Sequence, residues 1–129
     1  MDLANLDVKK AASEGSILEL LHPVTGETVK DEKGKPFTLS LIGSDSDTYK
    51  RAMRRNVEKR MNNKSKKVDL DLSEEDGLKV LAGCTTDCHL ILNGKKVELN
   101  DIAEVYKGFP WVREQAEAFI NDRANFIKS

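Results

Sequence analysis

Two short stretches of alternating apolar residues, separated by a connection dense in turn formers, set the terms on which this chain can fold. In 17–22, Leu18, Leu20 and His22 point one way and Ile17, Glu19 and Leu21 the other; in 37–42, Phe37, Leu39 and Leu41 oppose Thr38, Ser40 and Ile42. A period of two is that of a strand, whose successive side chains leave opposite faces. Between them, "HPVTGETVKDEKGKP" supplies Pro23, Gly26, Gly34 and Pro36, all of them turn-forming residues. The simplest expectation is an antiparallel pair with a long, mobile connection. Two strands alone are marginal in water, so helices must cover them. At 129 residues the chain has the length of one domain. The expected fold class is therefore α+β, a small antiparallel hairpin or sheet packed against several α-helices.

The helical signals follow. In "GSDSDTYKRAMRRNVEKRMNNKSKK", Ser44 stands three residues before Asp47, the spacing of a capping box at a helix start. Tyr49, Ala52, Met53, Val57 and Met61 then form a narrow apolar stripe, and residues 62–72 lose all periodicity and read as an exposed linker. Ser73 with Asp76 repeats the capping pattern ahead of Leu78, Leu81 and Ala82. Further on, Asn93-Gly94 favours a two-residue hairpin turn, because both residues tolerate positive φ. Asn100 is placed to cap a helix through Ile102, Val105 and Tyr106 that Gly108 ends, and Pro110 suits the first turn of the next. Residues 1–15 are polar with scattered leucines, and read as a frayed helix ending at Gly15 or as an arm that orders on a partner.

Several function classes are disfavoured. The net charge of −1 argues against wholesale affinity for nucleic acid or a membrane surface. Apolar runs such as "SILELL" and "HLIL" fall far short of the roughly 20 residues that span a bilayer. The start "MDLANLDVKK" has no basic region followed by a long apolar run, so no secretory signal is expected. Two cysteines are too few for a disulfide framework and suit reduced thiols in a cytoplasmic protein. "CTTDCH" places Cys84 and Cys88 four apart, on one face if helical, with Asp87 and His89 beside them. A structural zinc site needs four ligands, usually from two separated pairs, and only His22 remains as a further histidine, so no metal or other cofactor is expected. Neither histidine sits in a catalytic motif, and there is no G-x-S-x-G or phosphate-cradling loop. The chain is not expected to be an enzyme, and no catalytic residue is assigned.

Charge is strongly segregated. Residues 50–67 contain nine bases, Lys50, Arg51, Arg54, Arg55, Lys59, Arg60, Lys64, Lys66 and Lys67, against the single acid Glu58, which leaves −9 for the rest of the chain. Arg51, Arg54, Arg55 and Lys59 are the candidate charged interaction face, for an acidic partner, for a second subunit or for nucleic acid. Nucleic-acid binding is the weaker reading, because no aromatic other than Tyr49 lies among the bases.

The closing stretch "FPWVREQAEAFINDRANFI" holds the only tryptophan. Val112, Ala116, Phe119, Ile120 and Ile127 share a helical face, yet Arg123 falls in its middle. Burying an unpaired guanidinium is costly. Three resolutions are open: a break at Asn121 or Asp122 that rotates "RANFI" away, a guanidinium laid flat on an aromatic ring, or a contact with a partner. Val112, Phe119 and Ile120 are assigned to the core, and Trp111, Arg123, Phe126 and Ile127 are the candidate partner contacts.

The segments "LLHPVTGE", "GKPFTLSLIGSDSDTYKRAMRRN", "LAGCT" and above all "YKGFPWVREQAEAFINDRANFIK" resemble small tail assembly chaperones of long-tailed, siphovirus-type bacteriophages and prophages. The likeness runs through nearly the whole chain and is one of pattern, with no catalytic signature to transfer. It implies a non-enzymatic, self-associating α+β protein encoded beside the tape-measure gene, often with a second, frameshift-extended form. Such a protein binds the long, helical, aggregation-prone tape-measure protein while tail-tube subunits polymerise around it. It then leaves, acting in the host cytoplasm and absent from the mature virion, with the tail-tube protein as a further contact. Two alternatives stay open: a structural tail or connector protein retained in the virion, and a small nucleic-acid-binding regulator using the basic segment 50–67.

Overall fold

A computed structural model describes residues 2–62 and 70–127, together with their side chains except at 5, 57, 59–62 and 70–74. A 3-10 turn, Leu3–Leu6, leads into helix α1 (Val8–Glu14) and strands β1 (Ser16–Glu19) and β2 (Thr38–Leu41). Helices α2 (Asp47–Asn62) and α3 (Leu70–Gly83) follow, then β3 (Thr85–His89) and the small hairpin β4 (Ile91–Leu92) and β5 (Lys95–Lys96). A second 3-10 turn precedes α4 (Ile102–Gly108), and α5 (Pro110–Ile120) is followed by a third, Arg123–Asn125. The fold is mixed α+β.

The expected strand pair forms. Leu18 lies opposite Leu39 and Ile17 opposite Ser40. Leu20, Leu39 and Leu41 are fully buried while Ile17 remains 64% exposed, so the alternation is realised as one inner and one outer face. The connection between the strands is hydrogen-bonded along its length, which corrects the picture of a loose loop. Val29 N–H donates to Leu20 C=O at 3.0 Å and Phe37 N–H to Val29 C=O at 2.8 Å, and the Asp31 carboxylate accepts from the Lys33 and Lys35 amides, both at 2.9 Å.

The pairing of Thr85–His89 with the first two strands was not expected. β3 pairs antiparallel with the other side of β2, giving the order β1-β2-β3 with a register shift at Ser40/Leu41. In "TTDCH" the buried positions are Thr85 and Cys88, three apart, so the period of two that announces a strand is absent. The Asn93-Gly94 turn forms as expected, at φ 53° and 78°, and joins β4 to β5.

Three caps differ from expectation. Helix α2 is capped by Ser46, whose hydroxyl accepts from the Tyr49 amide at 3.2 Å; Ser44 instead donates its amide to Ile120 C=O at 2.8 Å, joining the β2–α2 link to α5. Ser73 lies inside α3, which begins at Leu70, so that the last part of the expected linker is helix; residues 63–69 lie outside the described residues. Asn100 sits in a 3-10 turn, Leu99–Asp101, and α4 starts with no side-chain cap. Pro110 does occupy the first turn of α5. The core lies between the sheet and α3, α4 and α5, with Tyr106 fully buried at its centre and Leu81, Val112, Ala116 and Ile120 around it. Ala12 of α1 is also buried, at 1% exposure, and Gly15 ends that helix at φ 83°. Residues 1–15 are thus, over their described part, an exposed 3-10 turn followed by a short helix docked through Ala12.

Candidate functional site

The closing stretch divides where its polar pair stands. Helix α5 buries Val112, Ala116 and Ile120, half-buries Phe119, and stops at Ile120. The Asp122 side chain then accepts from the Ala124 amide at 3.0 Å and starts the 3-10 turn. Of the three resolutions for Arg123, this break is the one observed. Its guanidinium leaves the apolar stripe and grips Asp45 with two bonds, Nε to Oδ2 at 2.8 Å and Nη2 to Oδ1 at 3.1 Å. The bond from Arg123 holds the Asp45 carboxyl below its ordinary range. With 68% of the Arg123 side chain still exposed, the pair lies at the surface rather than in the core.

The same break turns Phe126 inward. It is 8% exposed and meets Phe119 edge-on, with centroids 5.5 Å apart and planes at 70°. Its ring also covers Gly43, where a Cβ would lie 3.0 Å from the Phe126 ring and 2.9 Å from the Ala12 Cβ. Phe126 therefore belongs to the chain's own packing, and only the 8% left exposed reaches the cleft it shares with Ile127. Ile127 is half-buried at the edge of this junction, lining a cleft with Lys10, Ala11 and Glu14.

Trp111 is different. Half-buried, it packs against the core from one side and lines an apolar groove of about 140 Å³ with Phe37, Ile91, Leu92, Val97 and Phe109. Ile91, Leu92 and Phe109 at its mouth are 37%, 41% and 37% exposed. A second cleft of about 510 Å³ continues from it over Leu92, Val97, Val105 and Phe109 and is edged by Lys95, Lys96, Glu98, Asp101 and Glu104. Contiguous apolar surface rimmed by polar groups is what a docking site for another chain presents. The sequence reading picked out Trp111 but missed the hairpin's contribution. The available signal was the adjacent pair Ile91-Leu92 ahead of the turn, since a half-buried strand hides only one of two neighbours.

The basic face is open. Arg51, Arg54 and Arg55 are exposed on α2, and among the described residues they make no ion pair; the one bond seen runs from Arg51 Nε to the Asp47 C=O at 3.4 Å. The Lys59 side chain lies outside the described residues.

The groups considered for metal or catalysis are dispersed. Cys84 ends up fully buried just past α3 and Cys88 in β3, so they do not share a helix face. Burial pushes the Cys84 thiol up to about 11 and raises that of Cys88 as well. Cys88 Sγ contacts Val97 C=O at 3.7 Å. Among the described residues no three His, Cys, Asp or Glu side chains converge. His89 instead meets Asp31 at 2.8 Å, a pair brought together across the strand connection that spacing gave no means of finding. The bond to His89 and those from the Lys35 and Lys33 amides draw the Asp31 carboxyl down. Cys88 is the preceding residue in β3 and so leaves the opposite face of the strand, and the His89–Asp31 pair clamps the connection to the sheet. His22 accepts from the amides of Val24 and Thr25 at 3.1 and 3.2 Å and shapes its own turn.

Comparison of the chain with protein-family models, with curated proteins and with solved structures gives no match. Among the described residues no helix is long and apolar enough to cross a membrane.

Proposed function

We propose that this protein is a non-enzymatic tail assembly chaperone of a long-tailed bacteriophage or prophage, one that binds the tape-measure protein while the tail tube assembles. The reading starts from the resemblance of its sequence segments. The observation that carries it furthest is the apolar groove beside Trp111, with Ile91, Leu92 and Phe109 left at its mouth. An aggregation-prone helical client needs such a surface to cover its own apolar stripe. The reading places the protein in the host cytoplasm and outside the mature particle, with self-association and the tail-tube protein as further contacts. Its test is co-expression with the tape-measure protein encoded beside it. The wild type keeps the client soluble and co-purifies with it, while Ile91→Asp and Trp111→Ala, checked for folding by circular dichroism, lose the client. Folded variants that retain the client in full refute the role of the groove. Recovery of the protein in purified virions by mass spectrometry favours a structural tail component instead.

A second reading rests on the exposed Arg51, Arg54 and Arg55 of α2, which suit a polyanion and so a small nucleic-acid-binding regulator. Binding of that kind weakens steeply with salt. Absence of a DNA or RNA mobility shift at low salt dismisses it.

A further inference from the structure

We propose that the open edge of β1 docks a second copy of this chain. The partner's β1 adds antiparallel, centred on Leu18, and joins two three-stranded sheets into one. The chaperone reading implies self-association without saying where; this surface is read from the sheet alone.

β1 is an outer strand in the order β1-β2-β3. Leu20, just past it, donates its N–H to Phe37 C=O at 2.9 Å, towards β2. Along an antiparallel strand, residues that bond to the neighbour alternate with residues whose N–H and C=O point away. Ser16 and Leu18 therefore bond to β2, opposite Leu41 and Leu39, and Ile17, Glu19 and Leu21 turn their main chain outwards. Leu21 bears this out. Its N–H and C=O are both held by the Gln115 side chain, at 2.9 and 2.7 Å, the two bonds a neighbouring strand would make. The main-chain groups of Ile17 and Glu19 have no hydrogen-bond partner among the described residues. Both residues are exposed, Ile17 to 64%. Exposed edges are commonly blunted by Lys, Pro or a bulge. The strand "SILE" has neither Lys nor Pro, and the register shift of this sheet lies between β2 and β3.

The free groups choose both occupant and register. They are one N–H and one C=O on each of the two residues flanking Leu18, a set that a two-fold axis at Leu18 maps onto itself. With Leu18 opposite the partner's Leu18, Ile17 exchanges both main-chain bonds with the partner's Glu19, and Glu19 does so with the partner's Ile17. Every free group of both copies is then bonded. The neighbouring registers fail. With Ile17 opposite the partner's Ile17, Glu19 meets the partner's Gly15. That glycine has left the strand at φ 83°, and its N–H is already given to Ala11 C=O. With Glu19 opposite the partner's Glu19, two carboxylates face each other, and Ile17 meets the partner's Leu21, whose groups Gln115 holds. The contact is isologous, as a two-fold dimer requires. A strand of another protein could add to the same edge; the match of the free set to its own image favours the second copy. One strand pair is a small interface, so the dimer should form and dissociate with concentration.

The test needs no client. Sedimentation equilibrium of the full chain from about 10 µM to 1 mM should show the mass rising from monomer towards dimer. The amides of Ile17 and Glu19 should exchange with solvent about 3–10-fold more slowly at the higher concentration. Ile17→Pro removes only an outward N–H, which an edge strand tolerates, so it should keep its circular dichroism and stay monomeric. Two further substitutions fix the register. Ile17→Glu sets a carboxylate opposite the partner's Glu19, whereas Ile17→Lys sets an ammonium there, so Ile17→Lys should dimerise about 3–10-fold more tightly than Ile17→Glu. A wild type still monomeric at about 1 mM, or a dimer that Ile17→Pro leaves intact, overturns the proposal. So does equal dimerisation of Ile17→Glu and Ile17→Lys, which decides the matter if Ile17→Pro does not fold. Any of these leaves the chaperone reading standing, and a wild type that dimerises as stated but does not capture the tape-measure protein leaves the β1 edge standing.

Discussion

Replacing Phe126 by alanine should unfold this protein more easily without touching the groove beside Trp111, and the size of the effect follows from the burial of the ring and its pairing with Phe119. The ring is 8% exposed, and burying a phenylalanine side chain contributes about 1.5–3 kcal/mol. Its edge-on pairing with Phe119 at 5.5 Å adds roughly 0.5–1.5 kcal/mol. The full penalty of about 3–5 kcal/mol for a core Phe→Ala change should not be reached, because a 3-10 turn is short enough to relax into the hole. A loss of about 2–4 kcal/mol is expected, which for a urea slope of about 2 kcal/mol per molar lowers the midpoint by roughly 1–2 M. Gly43 supplies an internal check. A Cβ there would press on the Phe126 ring at 3.0 Å and on the Ala12 Cβ at 2.9 Å, so Gly43→Ala alone should cost about 1–3 kcal/mol by overpacking. In the Phe126→Ala background the ring contact is gone, and the second substitution should cost less by roughly 0.5–2 kcal/mol. Urea unfolding of the four proteins, followed by far-ultraviolet circular dichroism, gives the cycle. A midpoint that moves by less than about 0.3 M in Phe126→Ala, or strictly additive changes, would refute the packing assigned to this junction.

Three further outcomes are expected. Gln115→Ala removes an amide that accepts from Leu21 N–H at 2.9 Å and donates to Leu21 C=O at 2.7 Å; it should cost about 1–2 kcal/mol and speed hydrogen exchange at Leu21, and an unchanged exchange rate argues against that clamp. The buried thiols, with Cys84 raised to about 11, should resist a disulfide reagent at pH 8 until urea exposes both; rapid labelling of the native protein contradicts their placement. Because the bond from Arg123 lowers the Asp45 carboxyl from its usual 3.8, the pair stabilises the fold above that value and is lost as pH falls through the depressed one. Asp45→Asn should therefore lose stability at pH 6 and show a shallower decline below pH 4, read as melting temperatures; parallel acid limbs refute it.

What could be read from the sequence was whatever a local pattern encodes. Alternation placed β1 and β2 and sorted their residues into the two faces observed, Asn93-Gly94 placed the hairpin, and Pro110 placed the start of α5. The break at Asp122 was one of the resolutions left open because Asn and Asp readily satisfy the amides of a new turn. β3 was invisible because its five residues are stabilised by β2 rather than by any periodicity of their own, a tertiary override of propensity. The caps were misplaced for a related reason: Ser44 and Ser46 are equally good caps by type, and only the bond from Ser44 to Ile120 decides between them. Of the candidate contacts, Trp111 reaches the surface groove, whereas Phe126 is drawn inward by Gly43, a residue whose lack of a side chain says nothing locally about what will lie over it.

The groove and the basic helix make opposite demands on solution conditions, and that separates their roles. Binding in the groove draws mainly on apolar area, which salt does not weaken, with rim pairs that modulate it. Binding through Arg51, Arg54 and Arg55 would be electrostatic throughout, and raising salt from about 0.1 to 1 M shortens the screening length from about 10 to 3 Å. If the groove holds the client, capture should survive about 0.5 M salt with only a few-fold loss, and Arg51→Ala/Arg54→Ala/Arg55→Ala should leave it intact while changing association between copies of the chain or with an anionic partner. If capture instead collapses with salt and with the triple arginine substitution, the client lies on α2. The apolar mouth formed by Ile91, Leu92 and Phe109 would then be open to a different occupant.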